Sequence, residues 1–124
     1  MSIKLSMQEK PHYLQVICSG EFEPDAFIDA CKEVLTFASE NKIAAILLDG
    51  RTLTGQFISM IDRFRVGEEF ARLQHDLPFI SRVAVIGNEP LVDPHRFGET
   101  VAINRGAFGR VFTDIEEAIR WLES

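Results

Sequence analysis

Positive charge is scarce in this sequence: 13 Lys and Arg stand against 19 Asp and Glu, for a formal net charge of −6 and a pI near 5.0. Nucleic-acid affinity rests mainly on neutralising phosphates, and the basic stripe that would do so is missing, because acids are interleaved with Arg63, Arg65 and Arg72. A nucleic-acid partner is therefore not expected. Cysteine is scarce as well. Cys18 and Cys31 form no C-x-x-C pair and both fall on apolar stripes, so they are expected to pack as small buried hydrophobes. No stretch approaches the roughly 18 apolar residues of a membrane span. Met1 to Leu5 lacks the apolar stretch of a signal peptide, which makes cytoplasm the expected location. Linkers, repeats and low-complexity tracts are absent from the chain.

Catalytic signatures are missing too. No G-x-S-x-G elbow occurs, so a nucleophilic serine has no presenting turn. Gly50-x-x-x-x-Gly55 opens like a P-loop, but Gln56 and Phe57 follow where Lys and Ser or Thr must reach phosphate and magnesium. The histidines are His12, His75 and His95. His75-Asp76 and Asp93-x-His95 each offer two metal ligands without a third, whereas zinc needs three or four. Glu68-Glu69 and Glu116-Glu117 read as solvated helix faces. No metal, no cofactor and no enzyme activity are expected on this reading.

What is present suits one globular domain over residues 1–124, with 46% hydrophobic and 26% charged residues. Ile3, Leu5 and Met7 alternate with polar residues, and Leu14, Val16 and Cys18 alternate with Tyr13, Gln15 and Ile17, which predicts an antiparallel hairpin. Pro24 opens a helix whose stripe is Phe27, Cys31, Val34, Leu35 and Ala38, ending near Asn41. Ile43 to Leu48 is apolar without alternation, as is Arg82 to Ile86, and both predict strands covered on two faces. Asp49-Gly50 is expected to close the first of these. A long helix is predicted over 57–74. Asp93-Pro94 predicts a helix start, with Phe97, Val101 and Asn104 along one side. Val111 and Phe112 suggest a short last strand, and Thr113 to Glu116 a capping box before a final helix. The order is β-β-α-β-α-β-α-β-α, a five-stranded mixed sheet with about four helices.

Leu47-Leu48-Asp49-Gly50-Arg51-Thr52-Leu53-Thr54-Gly55 matches an "LLDxRxxxG" segment, Arg82 to Gly87 an "RVAVIG" strand, and Val111 to Leu122 a closing "VFxDxEEAxxWL". With these motifs in this order the chain resembles the bacterial SpoIIAA-like (STAS/SEC14) family, and more distantly the STAS domains of anti-anti-sigma factors. The resemblance implies that α/β fold and a non-catalytic regulatory or binding domain. It also implies a protein partner or a small ligand, and the SEC14 association implies an apolar or lipid-like one. The Asp-Ser-Ser-Gly phosphorylation element of anti-anti-sigma factors is absent, replaced by Gln56-Phe57-Ile58-Ser59-Met60. The apolar flanks of Ser59 predict its burial, and the kinase-controlled switch is not carried over.

Ligands of parallel α/β sheets bind beyond the carboxyl ends of the strands. Candidates there are Asp49, Arg51, Thr52, Thr54, His95 and Arg96, with the two arginines suited to an anionic group beside a helix N-terminus. An enzyme built from Asp49, His95 and Arg96 is the alternative. The predicted middle helix is apolar on two sides, with Phe57, Met60, Ile61, Phe64 and Ala71 on one and Val66, Phe70 and Leu73 on the other. Gly67 between them allows a bend. The second stripe is open to three readings: a homodimer contact, an apolar ligand groove, or cover by Leu77-Pro78-Phe79-Ile80.

Overall fold

The computed structural model describes residues 3–55, 58–89 and 91–124. Among the described residues nine elements follow in chain order: β1 (Lys4–Glu9), β2 (Leu14–Glu21), α1 (Pro24–Glu40), β3 (Ala45–Thr54), α2 (Met60–His75), β4 (Arg82–Ile86), α3 (Phe97–Asn104), β5 (Gly109–Phe112) and α4 (Ile115–Glu123). The sheet runs β1-β2-β3-β4-β5. β1 and β2 form the expected antiparallel hairpin, and the remaining pairs are parallel.

The unalternating apolar run of β3 is explained by its place in the middle of this order. Ile46 and Leu48 face α1 and α2, in one core with Val34, Leu35 and Ala38. Ala45 and Leu47 face the other way, against Ala118 and Leu122 of α4. β4 divides likewise, Val83 to the first core and Ala84 and Ile86 to the second. Cys18 and Cys31 are buried free thiols in the first core. Burial, and then the charge of Asp49, pushes Cys18 up to about 12.

Several boundaries depart from the sequence expectation. β3 does not stop at Asp49-Gly50 but runs on to Thr54, still paired with β2 through Ser19–Thr52 and Glu21–Thr54. A bulge absorbs the turn-forming pair: Gly50 and Arg51 together stand opposite Cys18. α2 starts at Met60 behind Ser59, whose hydroxyl accepts the Asp62 N–H at 3.0 Å. Gln56 and Phe57 of the predicted helix lie outside the described residues. α3 starts at Phe97, not at Pro94, because Arg96 is left-handed with φ 52°. Its buried residues are Val101 and Ala102, while Asn104 is exposed. The last helix is capped by Asp114 accepting the Glu116 N–H, rather than by Thr113.

Gly67 serves close approach rather than a bend. α2 continues unbroken through it, and a Cβ there would lie 2.5 Å from the Gly98 carbonyl of α3. Two helices in contact at backbone distance leave no space for a side chain between them. α3 is thereby held against α2 and over β5.

Candidate functional site

The candidate residues at the carboxyl ends of the strands are mostly bound to the protein itself. Asp49 is buried, and Arg51 grips it through Nε to Oδ1 at 3.0 Å and Nη2 to Oδ2 at 2.8 Å. Its Oδ1 also accepts the Arg51 backbone N–H at 3.0 Å. Burial pushes the Asp49 carboxyl up, but the hydrogen bonds from Arg51 outweigh it and hold the group below its ordinary range. The hydroxyl of Thr52 donates to the Cys18 carbonyl at 2.8 Å and that of Thr54 to the Gly20 carbonyl at 3.3 Å, so both lace β3 to β2.

His95 and Arg96 belong to a second group. Asp93 accepts the backbone N–H of Phe97 at 2.9 Å and of His95 at 3.3 Å, and these bonds, with Phe97 first, lower its pKa. The His95 side chain is exposed. Arg96 donates to the Val111 carbonyl while Glu99 accepts the Val111 N–H. In β5 the groups turned to β4 belong to even-numbered residues, as in Val83 N–H to Phe108 and Gly87 N–H to Phe112. The Val111 groups therefore point outward from the sheet, and α3 closes this edge with one cation and one anion. No hydrogen bond joins Asp49, His95 and Arg96 among the described residues, and Arg51 pairs with Asp49 rather than with a site shared with Arg96. No group of three His, Cys, Asp or Glu side chains placed to hold a metal is found among the described residues.

The two stripes of α2 are sorted by the fold. Phe70 and Leu73 pack on the first core, and Val66 and Phe70 line a cavity behind the helix. The stripe offered for an interface thus faces inward. Leu77 packs against the same core, whereas Ile80 is exposed. The outward residues are Met60, Ile61 and Phe64, exposed by 66%, 78% and 37%. Burial of Ser59 by apolar flanks is accordingly corrected: it is half-buried as a helix cap, between the half-buried Ile58 and the exposed Met60. The Arg105 guanidinium stacks on Phe64 at 4.8 Å.

Sequence reasoning overlooked two features. Gln74 is buried and joins α2 to the start of β5, donating to the Ser81 carbonyl at 2.9 Å and accepting the Phe108 N–H at 2.7 Å. A polar residue on the inner side of an amphipathic helix was the available signal. The Ser59 cap was readable from Ser59-x-x-Asp62, a helix-start pattern.

No family model and no curated protein matches the sequence. Among solved structures the chain is similar to an anti-sigma factor antagonist from Mycobacterium paratuberculosis. That match has a TM-score of 0.61 at 14% identity, over 99% of this chain and 96% of the other. It is also similar to an uncharacterised DUF3478-family protein with a SpoIIAA-like fold from Shewanella loihica, with a TM-score of 0.53 at 20% identity, over 98% and 94%. The fold is SpoIIAA-like, as the motifs implied. Among the described residues no helix is long and apolar enough to cross a membrane.

Proposed function

We propose that the chain is a non-catalytic binding module of a regulatory kind, which docks a protein partner on the outer side of the first turns of α2. The observation that carries this is the exposure of Met60 and Ile61, at 66% and 78%, beside Phe64. Apolar side chains grouped on one helix face mark interaction surfaces, and methionine and aromatic residues are enriched in them. The partner presents an apolar surface to this turn. Support from fold alone is that a protein named for antagonising an anti-sigma factor shares the architecture. The enzyme alternative needs Asp49, His95 and Arg96 to converge, and Asp49 and Arg96 already hold protein groups.

The test is a photo-reactive phenylalanine analogue at Ile61, irradiated in the cells that make the protein, with Lys32 on the outside of α1 as control. A discrete adduct at position 61, absent at 32 and lost when Met60→Asp is added, is expected. An adduct with a second copy of this chain would identify a homodimer instead. Equal, diffuse labelling at both positions refutes the reading.

A further inference from the structure

The first strand leaves one edge of the sheet open. β1 ends the order β1-β2-β3-β4-β5 and is paired on its β2 side alone. Facing residues of an antiparallel ladder alternate between pairs that exchange hydrogen bonds and pairs that do not. The Lys10 N–H donates to the Tyr13 carbonyl at 2.9 Å, which puts the even-numbered residues of β1 in the bonded set. The N–H and C=O groups of Leu5, Met7 and Glu9 therefore point away from β2, along the open edge. At the opposite edge Arg96 and Glu99 hold the outward groups of Val111. No backbone or side-chain group among the described residues does the same for β1.

The two faces of this strand differ in chemistry. Leu5 and Met7 are half-buried against the first core, so their outer flanks form an apolar rim. Lys4, Ser6 and Gln8 are exposed on the other face, which α4 covers over β3, β4 and β5. Lys10 belongs to that face too, because its partner Tyr13 packs on the second core. Neither lysine joins an ion pair among the described residues. In a chain of net charge −6, this face of β1 carries two cations and no anion.

We propose that the β1 edge takes an extended, acidic segment of a protein partner as a sixth strand, with apolar residues beside Leu5 and Met7 and carboxylates beside Lys4 and Lys10. In such strand addition main-chain hydrogen bonds give the affinity, and alternate side chains give the specificity. Opposite charges across neighbouring strands favour pairing, and like charges oppose it. The composition of β1 disfavours a second copy as the occupant. Every even-numbered residue from Lys4 to Lys10 is a lysine or uncharged, so antiparallel pairing of β1 with itself brings no carboxylate to either lysine. The edge uses none of Met60, Ile61 and Phe64, so this inference and the docking on α2 can fail separately.

The probe is the acetylated and amidated peptide Glu-Val-Thr-Val-Thr-Val-Glu, which reads the same in both directions and matches the stretch from Lys4 to Lys10 residue for residue. It is titrated into the whole isotope-labelled protein and followed by amide NMR. Saturable shifts concentrated at Leu5, Met7 and Glu9 are expected, with hydrogen exchange slowed there. The same peptide with lysine at both ends should bind at least about fivefold more weakly. Met7→Pro removes an outward N–H and leaves the bonds to β2 in place, and it should weaken binding at least about fivefold. Lys4→Glu combined with Lys10→Glu should reverse the preference between the two peptides. The proposal is overturned by no saturable shift at the β1 edge, by equal binding of the two peptides, by undiminished binding to folded Met7→Pro, or by a folded double variant that keeps the wild-type preference. It is also overturned if the wild type alone sediments as a dimer that Met7→Pro dissolves, since a second copy then holds the edge. The comparison of the two peptides on the wild type decides the matter even where no variant folds.

Discussion

Gly67→Ala separates packing from helix propensity, since the two act in opposite directions. Alanine is better than glycine inside a helix by about 1 kcal/mol. Against that, the new Cβ would lie 2.5 Å from the Gly98 carbonyl oxygen and 3.2 Å from both the Ala102 nitrogen and the Val101 Cβ. Carbon–oxygen contacts normally begin at about 3.3 Å, so α3 must retreat by roughly 0.8 Å. Overpacking costs about 1–3 kcal/mol, and here the obstacle is backbone, which places the cost near the top of that range. The net expectation is a loss of about 2 kcal/mol, or a melting point lower by roughly 6–10 °C for a domain of this size. Urea unfolding followed by far-ultraviolet circular dichroism measures it. Gly98→Ala is the internal control: its Cβ would meet the Arg63 carbonyl at 3.3 Å, and the loss should be clearly smaller. A Gly67→Ala protein as stable as the wild type, or more so, would mean that propensity prevails and that α3 is not seated on α2 as described.

Two further outcomes are expected from side chains bound inside the protein. Gln74→Leu leaves the Phe108 N–H and the Ser81 carbonyl without their partner at a buried position and should cost about 2–3 kcal/mol in denaturant unfolding; a loss below about 0.5 kcal/mol would contradict the bridging role. Arg51→Met should cost about 1–2 kcal/mol at neutral pH, the arginine being partly exposed. The Asp49 carboxyl is depressed in the folded protein, so its contribution is present above the ordinary carboxylate range and lost as pH falls. The gap between variant and wild type should therefore narrow below about pH 4, and a gap independent of pH would dissociate Asp49 from the effect.

The parts of the fold that were legible are those decided within one element. The Ile43–Leu48 run had no alternation because two layers cover it, and the α1 stripe was visible at helical spacing. Misplaced boundaries were decided by distant partners. Asp49-Gly50 looks like a turn, yet β2 keeps pairing and turns it into a bulge. Asp93 does accept backbone N–H groups as a cap would, but Arg96 takes a left-handed conformation and its guanidinium meets β5, which delays α3 to Phe97. The candidate site was legible as a gathering of polar residues. Their partners were not, because Thr52 and Thr54 bind β2 carbonyls 34 residues away in the chain. The inward direction of Val66, Phe70 and Leu73 depended on where α3 sits, and that rests on a glycine pair with no periodicity to reveal it.

The clamp of Arg96 and Glu99 on Val111 also governs how the sheet can grow. A neighbouring strand arriving at β5 finds the outward donor and acceptor of Val111 already taken, which disfavours extension of the sheet on that side relative to β1. Two copies joined through β1 would each turn a blocked β5 outward, and the combined sheet would end there. One cation and one anion on a short helix thus guard the open edge of the sheet against strand addition at Val111.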